Sequence, residues 1–243
     1  MRDYEKETAM RVEFIQGLLE DSGAGGIVFG NSGGKDSVLT GILCKLACKD
    51  TIGLIMPCGS KRNYAEDMRD AIEVAEQYGI EYRAVDLGAA YDAMKDAVGM
   101  ASIFTQASAA NIAPRLRMAA LYAVAANEGR LVAGTGNRSE KYMGYFTKWG
   151  DGAYDFNPIA DLTVKEIYEF LEYHGAPRHI IEKPPSAGLA DGQTDEGEMG
   201  VSYKSIDELL LTGQCSAGDL EIISEYHRKT GHKRSAPPDF GAV

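Results

Sequence analysis

The sequence predicts an α/β fold, a doubly wound parallel sheet flanked by helices, and three observations predict it. Short apolar runs of strand length alternate with segments of helical apolar spacing. The first run ends in a glycine-rich turn that opens straight into a helix, and each later strand returns only after an intervening helix, the pattern of βαβ units rather than hairpins. Taken in order, residues 3–20 place Met10, Phe14 and Leu18, and beside them Val12, Ile15 and Leu19, at helical spacing, and Ser22 to Gly26 stops that helix. Ile27-Val28-Phe29 is a buried strand, Gly30 to Gly34 the turn, and Val38, Leu39, Ile42, Leu43 and Leu46 the apolar face of the helix that follows. Thr51 to Met56 is a second strand closed by Pro57, Tyr64 to Tyr78 a helix with Asn63 as its N-cap, and Glu81 to Leu87 a third strand. Asn111 to Glu128 carries Met118, Leu121, Tyr122 and Ala125 on one helical face, and Arg130 to Ala133 is a fourth strand running into Gly134-Thr135-Gly136. Residues 137–158, polar and rich in glycine and aromatics, read as a long loop, and long ordered loops usually carry function. Thr163 to His174 reads as a helix, Lys183 to Gly200 as another loop, and Ser202 to Leu211 and Ala217 to Lys229 as the last two helices. No internal repeat, low-complexity tract or linker interrupts the pattern, so residues 1–243 are expected to form one domain.

Composition narrows the partners. Against 36 Asp and Glu the 243 residues carry 25 Lys and Arg, a formal net charge of -11, and such a field repels nucleic acid and anionic membrane. An anionic ligand must therefore be held by a local cluster. The four cysteines (Cys44, Cys48, Cys58, Cys215) form no C-x-x-C pair and suit a reducing compartment. The N-terminus has no apolar signal segment, and no run approaches the ~20 apolar residues of a membrane span. The expectation is a cytoplasmic protein without nucleic-acid or membrane partners.

The sharpest local signal is Ser32-Gly33-Gly34-Lys35-Asp36-Ser37 between strand and helix. Glycines let the backbone approach a ligand and present successive N–H groups, and the helix adds its positive end, so the turn suits a pyrophosphate. It is not a Walker P-loop, which needs glycine where Phe29 stands and a hydroxyl directly after the lysine, where Asp36 stands. A carboxylate at that point would repel phosphate unless a cation intervenes, which implies Mg²⁺ bridging Asp36 to the ligand. The competing reading is a structural glycine turn with Asp36 as a helix cap.

The S-G-G-x-D-S turn resembles the pyrophosphatase-loop adenylating enzymes, which cleave ATP between its α- and β-phosphates. Six further blocks in order, N111-I-A-P-R-L-R-M-A-A-L-Y, G134-T-G-N-R-S-E, G144-Y-F-T-K-W-G-D-G-A-Y-D, P184-P-S-A-G-L, Q193-T-D-E-G-E-M-G-V-S-Y and H232-K-R, make the chain similar to the short, ammonia-using NAD⁺ synthetases over almost its whole length. The resemblance implies an adenine nucleotide alpha hydrolase-like (Rossmann-like) fold and a two-step amidation. The nicotinate carboxylate of deamido-NAD⁺ attacks the α-phosphate of ATP, and ammonia then displaces AMP from the adenylate. It further implies that Gly30, Asn31, Ser32, Gly33, Gly34, Lys35, Asp36 and Ser37 cradle the pyrophosphate end of ATP, with Lys35 also acting in catalysis. Thr135 and Ser186 match ATP-contacting positions, Asp36 and Glu140 match Mg²⁺ ligands, and Arg115, Lys148, Asp155, His232 and Lys233 match positions that hold deamido-NAD⁺. Asp151 would orient ammonium and accept its proton, since nitrogen must lose its charge to attack. A homodimer with active sites bordering its contact is also implied.

One departure from the family pattern stands out. The family commonly reads D-L-x-K, with the lysine on the triphosphate, whereas this chain reads Asp161-Leu162-Thr163-Val164-Lys165. Either Lys165 reaches in through a one-residue shift of the helix start, or another cation such as Lys183 replaces it. Other positions keep two readings. Without the motif, Arg115 and Arg117 are solvated charges that do not share a helix face. Tyr142, Tyr145, Phe146 and Trp149 are core or interface residues. Cys44 and Cys48, at i and i+4, lack a second pair for zinc and read as small apolar residues. The acids of 191–198 are either a solvated loop or a lid over ATP. His174 and His179 carry no motif. The expected nitrogen source is ammonia, because an amidase would need a further domain of at least ~100 residues ahead of the first strand. The rival functions are another pyrophosphatase-loop synthetase, less suited to net charge -11 if its substrate is tRNA, and a non-catalytic ATP sensor, which would be expected to lack an acid at Asp36, Glu140 or Asp151.

Overall fold

The computed structural model describes residues 2–183 and 194–241. Helix α1 (Tyr4–Ser22) starts at Asp3, whose carboxylate accepts the Lys6 N–H, and ends at Gly23 with φ 68°. Strand β1 (Gly26–Gly30) runs through the glycine turn into α2 (Lys35–Ala47). Strand β2 (Thr51–Ile55) follows, and then two helices, α3 (Lys61–Tyr64) and α4 (Glu66–Tyr78). Asn63 is therefore not the N-cap expected of it. It lies inside α3, donates to the Asp67 carboxylate at 2.9 Å and accepts from Arg117 at 2.9 Å, so its amide is spent on tertiary bonds.

Strand β3 (Glu81–Ala84) stops short of the expected Leu87 because its partner has ended. The Val85 N–H still reaches the Ile55 carbonyl, but Leu87 already bonds to Pro57 beyond the end of β2. Two helices absent from the sequence reading, α5 (Gly88–Gly99) and α6 (Gln106–Ala110), lead to α7 (Ile112–Glu128) and β4 (Arg130–Ala133). The expected loop of 137–158 opens with a helix, α8 (Arg138–Met143), held by a reciprocal cap between Asn137 and Glu140 and closed by Gly144 at φ 69°. Helix α9 (Val164–Tyr173) is capped by Thr163 and Glu166 in the same way. A short helix, α10 (Arg178–Glu182), precedes the second expected loop, α11 (Asp195–Met199) lies in the described far end of that loop, and α12 (Tyr203–Thr212), α13 (Ala217–Lys229) and α14 (Gly231–Arg234) follow.

The four strands are parallel in the order β3-β2-β1-β4, and Ala133 adds a parallel bridge to Phe156 at the β4 edge. Alternation along the strands divides the core. Ile27 and Phe29 point to one side, where Ile15 of α1, Val38 to Cys44 of α2, Val74 of α4 and Phe170 of α9 pack on them. Val28, Ile52, Leu54 and Val132 point to the other, under Ala113 and Ala125 of α7. Helices thus cover both faces, as buried parallel sheets require. The order reverses between β1 and β4, and the carboxyl ends of strands at such a reversal are where open α/β sheets place ligands. A third apolar cluster, with Met143, Val164, Tyr203 and Ile223, locks α8, α9, α12 and α13 together beside that end.

Candidate active site

The glycine turn is fixed from below. Asn31, 3% exposed, donates to the Ala71 carbonyl at 2.9 Å while its carbonyl oxygen accepts the Gly33 N–H. Gly33 sits at φ 70° against α4, where a Cβ would lie 2.7 Å from the Asp67 carbonyl oxygen. Only glycine meets both demands. The Ser32 and Ser37 hydroxyls meet at 3.1 Å, and Ser37 also donates to the Gly34 carbonyl. Helix α2 starts after Gly34 with no side-chain cap, so its first N–H groups face the cleft as an anion cradle.

Two carboxylates converge on a lysine at the helix start. Lys35, 7% exposed, donates to Asp36 at 2.6 Å and lies 3.9 Å from Glu140, with the Tyr203 ring 5.7 Å from its ammonium. Burial alone would lower the Lys35 pKa, but Asp36 and Glu140 hold it above its usual range. Burial and the neighbouring Asp36 charge push Glu140 well above the ordinary range of a glutamate, with Lys35 offsetting part of the shift. Asn137, fully buried, donates to Asp36 at 3.0 Å and caps α8 through the Glu140 N–H at 2.9 Å. One asparagine thus sets the spacing of the pair. Among the described residues no cluster of three metal-ligating side chains forms. A pair of carboxylates facing open cleft nonetheless fits Mg²⁺, which takes one or two protein oxygens and completes its shell with phosphate and water.

These groups line one cleft of about 550 Å³ that runs from the turn, past the ends of β2 and β4, to the 144–153 loop and α14. Gly30, Asn31, Ser32, Gly34, Lys35, Asp36, Ser37, Thr135 and Glu140 line one end. Asp151 and Lys233 line the other. Asp151 accepts the Thr147 N–H at 2.9 Å, and desolvation by the surrounding protein raises its pKa against the pull of that N–H and of Lys233 and Arg117. Lys233 donates to the Gly144 and Phe146 carbonyls at 2.7 Å each. Burial lowers its pKa, Arg115 and Arg234 adding to the fall and Asp151 opposing it.

Other expected site residues lie elsewhere. Arg115 is exposed and donates to the Lys148 carbonyl at 3.2 Å, and Lys148 donates to the His232 carbonyl at 2.6 Å, so these three form a surface chain leading to Lys233. Asp155 accepts the Val132 N–H at 2.7 Å and the Tyr122 hydroxyl at 3.2 Å, which places it on the β4 edge rather than the cleft wall. Lys165 is not brought to the cleft. Its side chain is 66% exposed and pairs with Glu169 at 3.8 Å, while its N–H is taken by Asp207, and Val164 is buried in the third cluster. Lys183 does line the cleft. Ser186 lies outside the described residues.

Arg117 is the residue the sequence reading left as a solvated charge beside Arg115. Its guanidinium lines the cleft, donating to the Met56 carbonyl at 3.1 Å and to Asn63, and burial pushes its pKa down. A signal was present: Pro114, Arg117, Met118 and Leu121 recur at helical spacing and share the cleft face, whereas Arg115 does not.

A parallel doubly wound sheet with an anion cradle and a carboxylate pair at its reversal point defines an α/β nucleotide-binding protein. The chain belongs to the NAD synthase family, which matches residues 7–237. It is 44% identical over 238 residues to an NH(3)-dependent NAD(+) synthetase of Carboxydothermus hydrogenoformans, covering 97% of both chains. Among solved structures it matches NMN synthetase from Francisella tularensis with TM-score 0.93 and 36% identity over 100% of both chains. It also matches the NH3-dependent NAD synthetase from Campylobacter jejuni with TM-score 0.80 and 31% identity, covering 99% and 100%. The fold is the adenine nucleotide alpha hydrolase-like one these structures share.

Proposed function

We infer that this chain catalyses the ATP-dependent amidation of deamido-NAD⁺ by ammonia, giving NAD⁺, AMP and pyrophosphate, with the whole chain acting as one catalytic domain. The observation that carries the reading is the single cleft with an anion cradle and carboxylate pair at one end and Asp151 at the other, in a chain of this family. The nicotinate carboxylate is a poor electrophile and needs a leaving group. Its oxygen attacks the α-phosphorus of ATP, the bond to the β-phosphate oxygen breaks, and the cradle N–H groups and Lys35 receive the charge of the departing pyrophosphate. Asp36 and Glu140 would hold Mg²⁺, which when bound supplies positive charge to the phosphate oxygens. Six carboxylates and four cations line the described cleft, so a tetra-anionic nucleotide needs that added charge. At the far end Asp151 takes a proton from ammonium, the freed nitrogen attacks the acyl carbon, and AMP leaves. Lys233, with the surface chain of Arg115, Lys148 and His232, holds the dinucleotide.

The likeness to NMN synthetase favours a second reading of the acceptor, in which the mononucleotide acid is amidated by the same chemistry. We further propose a cytoplasmic homodimer. No helix among the described residues is long and apolar enough to cross a membrane. Met100 is 92% and Ile103 95% exposed just past α5, apolar surface that a second copy would cover.

The test is product formation by purified protein with ATP, Mg²⁺ and either deamido-NAD⁺ or nicotinate mononucleotide, supplied with ammonium, glutamine or neither, counting AMP and pyrophosphate. One AMP per NAD⁺ with ammonium alone is the expected result. Faster turnover of the mononucleotide establishes the second reading, and no consumption of ATP leaves a nucleotide sensor.

A further inference from the structure

The cleft's cations are unequally placed. Among the described residues Lys35, Arg117, Lys183 and Lys233 line it. Lys35 pairs with Asp36 at the start of α2 and is already assigned to the departing pyrophosphate, Arg117 is committed to the Met56 carbonyl and Asn63, and Lys233 sits among carbonyls on the Asp151 side. Lys183, at the C-terminus of α10 with its side chain 16% exposed, donates to Asp67 at 2.9 Å and to Asp70 at 2.7 Å. Those two acids belong to the stretch of α4 on which the glycine turn rests. A Cβ on Gly33 would lie 2.7 Å from the Asp67 carbonyl oxygen and 2.9 Å from the Asp70 Cβ. The Lys183 ammonium and the cradle N–H groups therefore share one wall. Lysine is a point charge on a flexible stem, suited to being held by carboxylates at rest and transferred to a stronger anion when one arrives.

We propose that Lys183 is the triphosphate-binding cation of this site, passed from the Asp67–Asp70 pair to the β- and γ-phosphate oxygens when ATP binds, the task that neither Val164 nor Lys165 can perform. Asp70 is the positioning residue of the pair. It is 2% exposed and keeps Arg69 at 3.1 Å, so it stays partnered after Lys183 leaves. The assignment rests on the reading of the cleft as an ATP site.

The experiment compares Mg²⁺-dependent binding of α,β-methylene ATP and of AMP by calorimetry to wild type, Lys183→Met and Lys183→Arg, with thermal melts to verify folding. Lys183→Met is expected to weaken the triphosphate analogue about 10- to 100-fold while leaving AMP, which lacks the outer phosphates, unchanged. Lys183→Arg is expected to restore most of the loss. Equal weakening of both nucleotides marks Lys183 as a structural tether and overturns the assignment, as does unchanged analogue binding. Normal wild-type binding with an unmoved Lys183→Met overturns the lysine assignment alone, whereas a wild-type protein that binds neither nucleotide overturns the ATP reading and the assignment with it.

Discussion

Glu140 serves two ends that oppose each other. It caps α8 through Asn137 and also stands in the carboxylate pair with Asp36, where burial and like charge raise its pKa. A carboxyl whose pKa is raised by folding stabilises the fold fully at pH below the ordinary glutamate range, and that contribution is lost as pH climbs through the raised value. Metal-free protein should therefore show a melting temperature that declines as pH rises above the usual glutamate range. In Glu140→Gln that part of the decline should vanish, and a wild-type slope in the variant would remove Glu140 as its source. Asp36→Asn keeps the Asn137 contact but deletes a proposed metal ligand, and should cut Mg²⁺-dependent turnover about 100-fold or more in protein that circular dichroism shows to be folded. These two acids, with Lys35, were legible in the sequence because the motif ties residue type to chemistry. The side of α7 was not. Arg115 and Arg117, two residues apart, lie on different faces of α7, and which of them faces the cleft depends on how the helix docks on the sheet.

At the level of elements, legibility followed length where a helix buries an apolar face, and the twelve-residue α5, which buries no residue, was missed. Helices α2, α4, α7, α9, α12 and α13 each span ten residues or more, enough turns for an apolar face to repeat. The pieces that shape the site are shorter. Helix α8 has six residues and α11 five, so their order comes from caps and tertiary bonds rather than from periodicity. The Asn137-x-x-Glu140 capping signature was present, but the same glutamate was read as a metal ligand, and the sequence offers no way to see that the side chain also caps α8. Long-range hydrogen bonds decide α9 as well. Its first N–H groups are taken by Thr163, by Ser139 at 3.4 Å and by Asp207 at 2.7 Å, which seats the helix against α8 and α12 and fixes Val164 inward and Lys165 outward. Thr163→Ala should lower stability by about 1–2 kcal/mol, with Thr163→Ser recovering most of it in chemical denaturation. An unchanged midpoint would show that Ser139 and Asp207 suffice as caps.

Over the whole molecule, charge and apolar surface act on different partners. A net charge of -11 disfavours every anionic ligand at long range, so binding of ATP depends on the local cradle and on added cation rather than on steering. The same charge makes two copies repel, and their association must come from apolar surface. The most exposed such side chains within the helical part of the chain are Met100 and Ile103, and Met94 and Val98 of α5, 43% and 39% exposed, sit next to them in the chain. Helix α5 packs on α7, the helix that also carries Arg115 and Arg117, so a contact there would brace the wall of the cleft. The expected outcome in light scattering is a dimer, more stable at 0.5 M salt than at low salt because screening removes the repulsion while apolar burial persists. Met100→Glu with Ile103→Glu should give a monomer. A dimer that survives both substitutions would move the contact to another exposed apolar face, such as Met10 and Phe14 of α1, where Met10→Glu with Phe14→Glu would then have to break it.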